Sequence, residues 1–133
     1  MFASRIIKVV IGRPFTQVYE FLADPSNFAR WASLPGTDIE SLGGNDYLIE
    51  VPRGQIVIRF ASRNNLGVLD YQTFPQGADG GPVTPVRLYA NDDGAEMTFT
   101  WFQREGVTDA KFDSDVEWIT SDLERLKTLI ESL

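Results

Sequence analysis

Apolar residues alternate along some stretches of this chain and recur at three- and four-residue steps along others, and the change of rhythm marks out its elements. "RIIKVVI" (Arg5–Ile11) is β-branched and predicts a strand. In "RPFTQVYEFLADP", Val18, Phe21 and Leu22 sit at helical spacing, Pro14 suits a helix start, and Pro25 should stop the helix at Asp24. "PSNFARW" predicts a short second helix with Phe28 and Trp31 on one side. From Thr37 to Arg104 the texture becomes six strands in a meander. They are separated by Gly43-Gly44-Asn45, Arg53-Gly54, Asn64-Asn65, a Gly-rich loop around Gly77–Pro82, and Asp92-Asp93-Gly94. Finally Phe112, Val116, Ile119, Leu123, Leu126 and Ile130 form one apolar stripe on a long helix. Thr108 is its expected N-cap, and Ser114 with Glu117 is a rival start with capping-box spacing. Its acidic first half and late Arg125 and Lys127 suit the helix dipole.

Opposed residues of a hairpin share a face. If Asn64-Asn65 is a two-residue turn, Phe60 faces Leu69, Ile58 faces Tyr71 and Ile56 faces Thr73, while Arg59 meets Asp70 on the other side. A turn at Arg53-Gly54 sets Tyr47 against Phe60, Ile49 against Ile58 and Val51 against Ile56. One at Asp92-Asp93 sets Leu88 against Met97, Val86 against Phe99 and Thr84 against Trp101. Three separate turns thus sort the side chains into one apolar and one mostly polar face, and a slip of one residue would reverse every assignment on a strand. The apolar face belongs under the long helix. Asp70 then lies on the back in a charge ladder with Arg59, flanked by Arg87, worth ~0.2–1 kcal/mol per pair. The alternative, Asp70 as a catalytic acid facing a cavity, needs a bulge that reverses the facing. Leu48, Val57, Val68, Phe74 and Tyr89 fall on the back as a candidate exposed patch, which would offer a homodimer or partner surface.

Composition narrows the chemistry. The chain has 133 residues with 43% hydrophobic and 23% charged, the size and balance of a single globular domain spanning 1–133. A net charge of −7 with scattered Lys and Arg argues against nucleic acid. There is no cysteine and no histidine, so disulfides, thiolate nucleophiles, a Ser-His-Asp triad and the commonest metal ligands are absent. No phosphate-loop or metal-ligand pattern occurs, and no metal or cofactor is expected. The apolar "IIKVVI" is short and broken by Lys8, so neither a signal peptide nor membrane insertion is expected, and a cytoplasmic location is the default.

Strand, two short helices, six antiparallel strands and a long helix make an α+β layout. The stretches "RPFTQVYEFLADPSNFARW", "LGVLDYQTF", "PVRLYANDDGAEMTFTWFQREGVT" and "FDSDVEWITSDLERLKTLIESL" resemble the START-like (SRPBCC) superfamily, in its polyketide cyclase/dehydrase-like branch, over nearly the whole chain. The resemblance implies a helix-grip fold: a curved antiparallel sheet of seven strands around the C-terminal helix, two short helices after strand one, and a deep cavity between sheet and helix. The superfamily holds cyclases, lipid carriers, hormone receptors and co-chaperones, so fold does not choose among them. Its cyclases generally use His, Arg or Asp in the cavity. This chain has no histidine, and Tyr71 stands where a related sequence would be expected to carry one.

The inner face supplies a candidate ligand-binding cavity. Its strand residues are Tyr47 and Ile49, Ile58 and Phe60, Leu69 and Tyr71, Leu88, and Phe99 with Trp101. Phe28 and Trp31 come from the short helix, and Phe112, Val116 and Ile119 from the long one. An apolar wall with few polar points suits a small hydrophobic or aromatic molecule, and the same residues would equally build a solid core. Buried Tyr47, Tyr71 or Trp101 would need a water or ligand oxygen. Glu40 turns inward in one register and would then join Tyr47 and Tyr71 as acid–base candidates; otherwise it is a solvated edge residue. Asp115 and Asp122 lie off the apolar stripe and are expected in solvent. The competing readings are a binder of a small hydrophobe, a polyketide cyclase/dehydratase-like enzyme, and a protein-interaction module.

Overall fold

A computed structural model describes residues 1–32, 39–52 and 54–133. The first strand, β1 (Ser4–Ile11), buries Ile7, Val9 and Ile11 and exposes the residues between, as period two requires. Helix α1 (Phe15–Ala23) follows Pro14 and buries Val18, Tyr19 and Phe21. It ends at Asp24, which is extended before Pro25. The Asp24 carboxylate accepts from the Ser26 N–H at 3.0 Å and its hydroxyl at 2.7 Å, capping a 3₁₀ turn (Pro25–Asn27) that runs into the one-turn helix α2 (Phe28–Trp31). The strands are β2 (Glu40–Gly43), β3 (Asp46–Val51), β4 (Gly54–Phe60), β5 (Tyr71–Pro75), β6 (Val83–Thr84), β7 (Val86–Asn91) and β8 (Gly94–Phe102). Helix α3 (Asp109–Glu131) starts where Thr108 accepts from the Lys111 N–H at 3.1 Å, so the rival start at Ser114 lies inside the helix. Its far end is tied to the β1–α1 corner: Lys127 donates to the Val10 carbonyl at 2.7 Å and Glu131 accepts from the Gly12 N–H at 2.7 Å.

The architecture is α+β with curved antiparallel sheets and a long C-terminal helix, but the expected single seven-stranded sheet is corrected to two. One has the order β1-β8-β7 and the other β2-β3-β4-β5-β6. The additional strand is the two-residue β6, and the break has a local cause. Pro85, between β6 and β7, has no N–H to give a ladder. The next N–H, that of Val86, goes to the Asp70 side chain at 2.8 Å instead of to a strand. Backbone bonds join the two sheets at this seam, Leu69 N–H to the Val86 carbonyl and Leu88 N–H to the Gly67 carbonyl, both 2.8 Å. The same proline moves Thr84: predicted opposite Trp101, it pairs with Tyr71 instead.

Hairpin registers are also corrected in part. β7 and β8 pair Val86 with Phe99 and Leu88 with Met97, as expected. β3 and β4 pair Tyr47 with Ile58 and Ile49 with Ile56, and β4 and β5 pair Phe60 with Tyr71 and Ile58 with Thr73. Both are displaced by two residues, which preserves every facing. The Asn64-Asn65 segment is a wide loop rather than a tight turn, because Asn64 organises it. Its side chain accepts from the N–H groups of Leu66 (2.9 Å) and Val68 (3.1 Å) and donates to the carbonyls of Ser62 (3.0 Å) and Val68 (2.9 Å). Its own N–H donates to the Tyr19 hydroxyl at 2.8 Å. The predicted turn residue Arg53 and the predicted strand start at Thr37 lie outside the described residues.

The main core joins the three-stranded sheet to α1 and α3, with Ile11, Val18, Leu88, Met97, Leu123, Leu126 and Ile130 buried at its centre. The exposed back-face patch is not found. Leu48, Val57 and Phe74 form a second, small buried cluster, and Val68 is half-buried, leaving Tyr89 as the exposed member. The Gly-rich loop reaches back over this face: Arg59 stacks 4.9 Å above the Phe74 ring, donates to the Asp79 carbonyl at 2.9 Å, and forms a two-pronged pair with Asp46 at 2.7 and 3.0 Å. A dimer surface built on that patch therefore loses its apolar centre. Among the described residues no helix is long and apolar enough to cross a membrane.

Candidate functional site

The Asp24 cap and a 3.0 Å bond from the Asn27 amide to the Phe21 carbonyl set the corner between α1 and α2. That corner aims one turn of helix at the sheet. Phe28 and Trp31, three residues apart, share its inner side, with ring centroids 5.5 Å apart, edge to face. Phe28 meets Phe60 at 5.5 Å and Phe60 meets Tyr47 at 5.7 Å. Opposite runs a second aromatic series, Tyr71 to Phe99 at 6.0 Å and Phe99 to Trp101 at 6.2 Å. The two series do not close on each other.

Between them lies a cavity of about 150 Å³ walled by Phe28, Trp31, Ala32, Tyr71, Phe99, Ile119 and Asp122. A smaller one of about 40 Å³ shares Phe28, Trp31, Tyr71 and Phe99 and extends toward α1, along Tyr19, Leu22 and Ala23. A third, of about 130 Å³, lies among Thr73, Pro82, Thr84, Trp101, Phe102 and Arg104.

The expected cavity residues therefore divide. Phe28, Trp31, Tyr71, Phe99 and Ile119 meet around the void of about 150 Å³, Phe60 and Leu69 line the one of about 40 Å³, and Trp101 lines the third. Ile49, Ile58, Leu88 and Phe112 are buried, Tyr47 and Val116 half-buried, and none of these six borders a described cavity. Glu40 is exposed on β2 and reaches none of them.

Asp122 is the residue that helical periodicity placed in solvent and the structure places in the cavity wall, and that expectation is corrected. At about 100° per residue it sits only ~80° from the centre of the α3 stripe, at its border, so neighbouring elements decide its surroundings. The signal was its i+3 relation to Ile119. Its carboxylate lies 3.2 Å from Arg125, which donates to the Trp31 carbonyl at 2.9 Å, linking α3 to the end of α2. Asp115, the other acid expected in solvent, is partly buried and pairs with Lys111.

Tyr71 is the second polar point. Burial pushes its phenol up to about 12; a hydrogen bond with Thr84 opposes this and the Asp122 charge adds to it. Thr84 thus supplies the partner expected from a water or ligand oxygen, and no buried side-chain polar atom among the described residues is orphaned. At neutral pH the cavity presents a protonated phenol, a carboxylate already held by an arginine, and aromatic walls. Asp70 plays no part in it. Burial would raise its carboxyl, but the Arg87 guanidinium, at 2.9 and 3.0 Å, and the Val86 N–H hold it below the usual carboxylate range. It is a clamp on the seam between the sheets.

The fold has solved counterparts. The Aha1 dimer from Colwellia psychrerythraea superimposes with a TM-score of 0.73 at 16% identity, over 97% of this chain and 96% of that one. Ara h 8.0201 gives 0.69 at 12%, covering 100% of each chain. DynU16, a protein in the dynemicin biosynthetic locus, gives 0.68 at 16% over 96% of this chain and 47% of that one. The likeness is one of fold alone. No family model and no curated protein matches the chain. Among the described residues no group of acidic side chains is placed to hold a metal ion.

Proposed function

We propose that the protein binds a small, mostly apolar molecule, about one aromatic ring in size, in the cavity between α2, the sheets and α3. The observation that carries this is the void of about 150 Å³ walled by four aromatic side chains. An apolar cavity of about that volume suffices for benzene, and ligand sites combine such walls with a few polar points. Here the points are the Tyr71 hydroxyl, a donor at neutral pH, and the Asp122 carboxylate.

The cyclase/dehydratase-like alternative draws on one feature, Asp122 and Tyr71 facing the same void. Against it, a phenol raised to about 12 is a poor base at neutral pH, and drug-sized pockets begin at about 300 Å³, larger than this void. The interaction-module reading loses its support with the back-face patch.

The test is titration of the ¹⁵N-labelled protein with toluene, phenol and indole. A ligand of seven to nine heavy atoms at roughly 0.6–0.8 kcal/mol per atom gives a Kd between about 5 μM and 1 mM. The expected result is saturable shifts of the Trp31 indole N–H and the Ile119 methyls. Shifts absent from both at saturating aqueous ligand would refute the proposal.

A further inference from the structure

The third cavity differs in chemistry from the first. Its walls carry Arg104, the Trp101 indole and the hydroxyls of Thr73 and Thr84, with Pro82 and Phe102 completing it and no carboxylate among them. Arg104 is one of three described cationic side chains, with Arg13 and Arg30, that form no ion pair, and of the three it alone lines a described cavity. Arg5, Lys8, Arg59, Arg63, Arg87, Lys111, Arg125 and Lys127 each form an ion pair, and among the described residues Arg104 pairs with no carboxylate. It is nevertheless held in place. Its guanidinium lies 5.0 Å from the Phe102 ring centroid and 5.4 Å from that of Phe2, and one amino group donates to the Val83 carbonyl at 3.1 Å. Stacked between rings it loses little further freedom on meeting a ligand, and its remaining N–H groups stay available in a planar fork.

A cavity that offers a fixed cation and the Thr73 hydroxyl, with aromatic walls and no competing anion, is complementary to an oxyanion carried on a small apolar body. We propose that this cavity binds a small carboxylate of about benzoate size, with the carboxylate toward Arg104 and the apolar part against Trp101 and Phe102. The site is distinct from the first: Tyr71 walls the first and Thr84 the second, the two joined by their hydrogen bond. Its test is therefore independent of the proposal for the first cavity.

The probe is benzoate, followed by NMR at the Trp101 indole N–H, assigned with Trp101→Phe, and at the Arg104 Nε–H. The expected result is that both shift saturably, that added NaCl weakens the binding, and that neutral benzamide leaves both unmoved. Arg104→Met, which keeps the apolar stem between the rings, should weaken benzoate binding about tenfold or more, and Arg104→Lys should restore part of it. Three results would each overturn the proposal: no shift at either signal with benzoate in the tens of millimolar; equal binding of benzamide by the unmodified protein; or unchanged affinity in a folded Arg104→Met. The first two need no substitution and stand even if the variant fails to fold.

Discussion

Ala32→Leu tests whether the first cavity is a real void. Ala32 lines it and Leu adds three carbons while removing none. At ~0.8 kcal/mol per buried carbon the gain is about 2.4 kcal/mol. Ordering the new side chain returns ~0.5–1 kcal/mol, leaving about 1.5 kcal/mol of added stability. For a domain this size that raises Tm by about 5–8 °C. A well-packed core would instead be overfilled, at a cost of ~1–3 kcal/mol, and Tm would fall. The sign of the change decides, and calorimetric melts read it directly. The same melts with a one-ring ligand at ten times its Kd should show about 1.4 kcal/mol of ligand stabilisation in the parent protein and almost none in the variant. A variant that melts lower than the parent, or that keeps the ligand's full effect, refutes the void and the function proposed for it.

Gly67 has φ +73°, and a Cβ there would stand 2.1 Å from the Leu88 carbonyl oxygen, so Gly67→Ala must break the seam's Leu88-to-Gly67 bond as well as adopt a disfavoured backbone. A loss of ~3–5 kcal/mol by urea unfolding is expected, and one below ~1 kcal/mol would show that the sheets are not joined there. Asp70 has its carboxyl lowered by Arg87 and the Val86 N–H, so its stabilisation is complete above the unfolded value of ~3.9 and is lost as pH falls through the folded one. Asp70→Asn should thus be destabilising at pH 7 and converge with the parent at low pH; a deficit that stays constant with pH contradicts the clamp. Tyr71 has its phenol raised, so stability should decline as pH climbs from 10 toward about 12, and ultraviolet titration should find one tyrosine resisting ionisation until the protein unfolds. Tyr71→Phe should remove that resistant component, and its persistence in the variant would assign it elsewhere.

Element order and facing were legible because both depend on periodicity. β1, α1 and α3 lie where the apolar rhythm placed them, and registers displaced by two residues still turned Ile58 and Tyr71 inward. What was hidden depends on single side chains acting on distant backbone. Asn64 turned a presumed two-residue turn into a wide loop, and Pro85 with Asp70 cut one sheet into two. The small core under the Gly-rich loop was read as bare surface because Arg59, counted as a partner for Asp70, instead pairs with Asp46 and stacks on Phe74. The candidate site was legible in its aromatic half. Asp122 escaped because a border position on a helix is resolved only by what packs beside it.

Asp70 and Asp122 show why an acid's surroundings, and not its sequence neighbours, carry the functional argument. Asp70 sits inside an apolar stretch and looks conspicuous, yet two guanidinium bonds and a backbone N–H occupy its oxygens. Asp122 sits in an ordinary acidic helix and borders the void of about 150 Å³. That void is partly open to solvent, so water can enter it. Under the proposed function a ligand would displace that water from four aromatic walls, and the area so removed from water is the driving force that Ala32→Leu would claim for the protein itself.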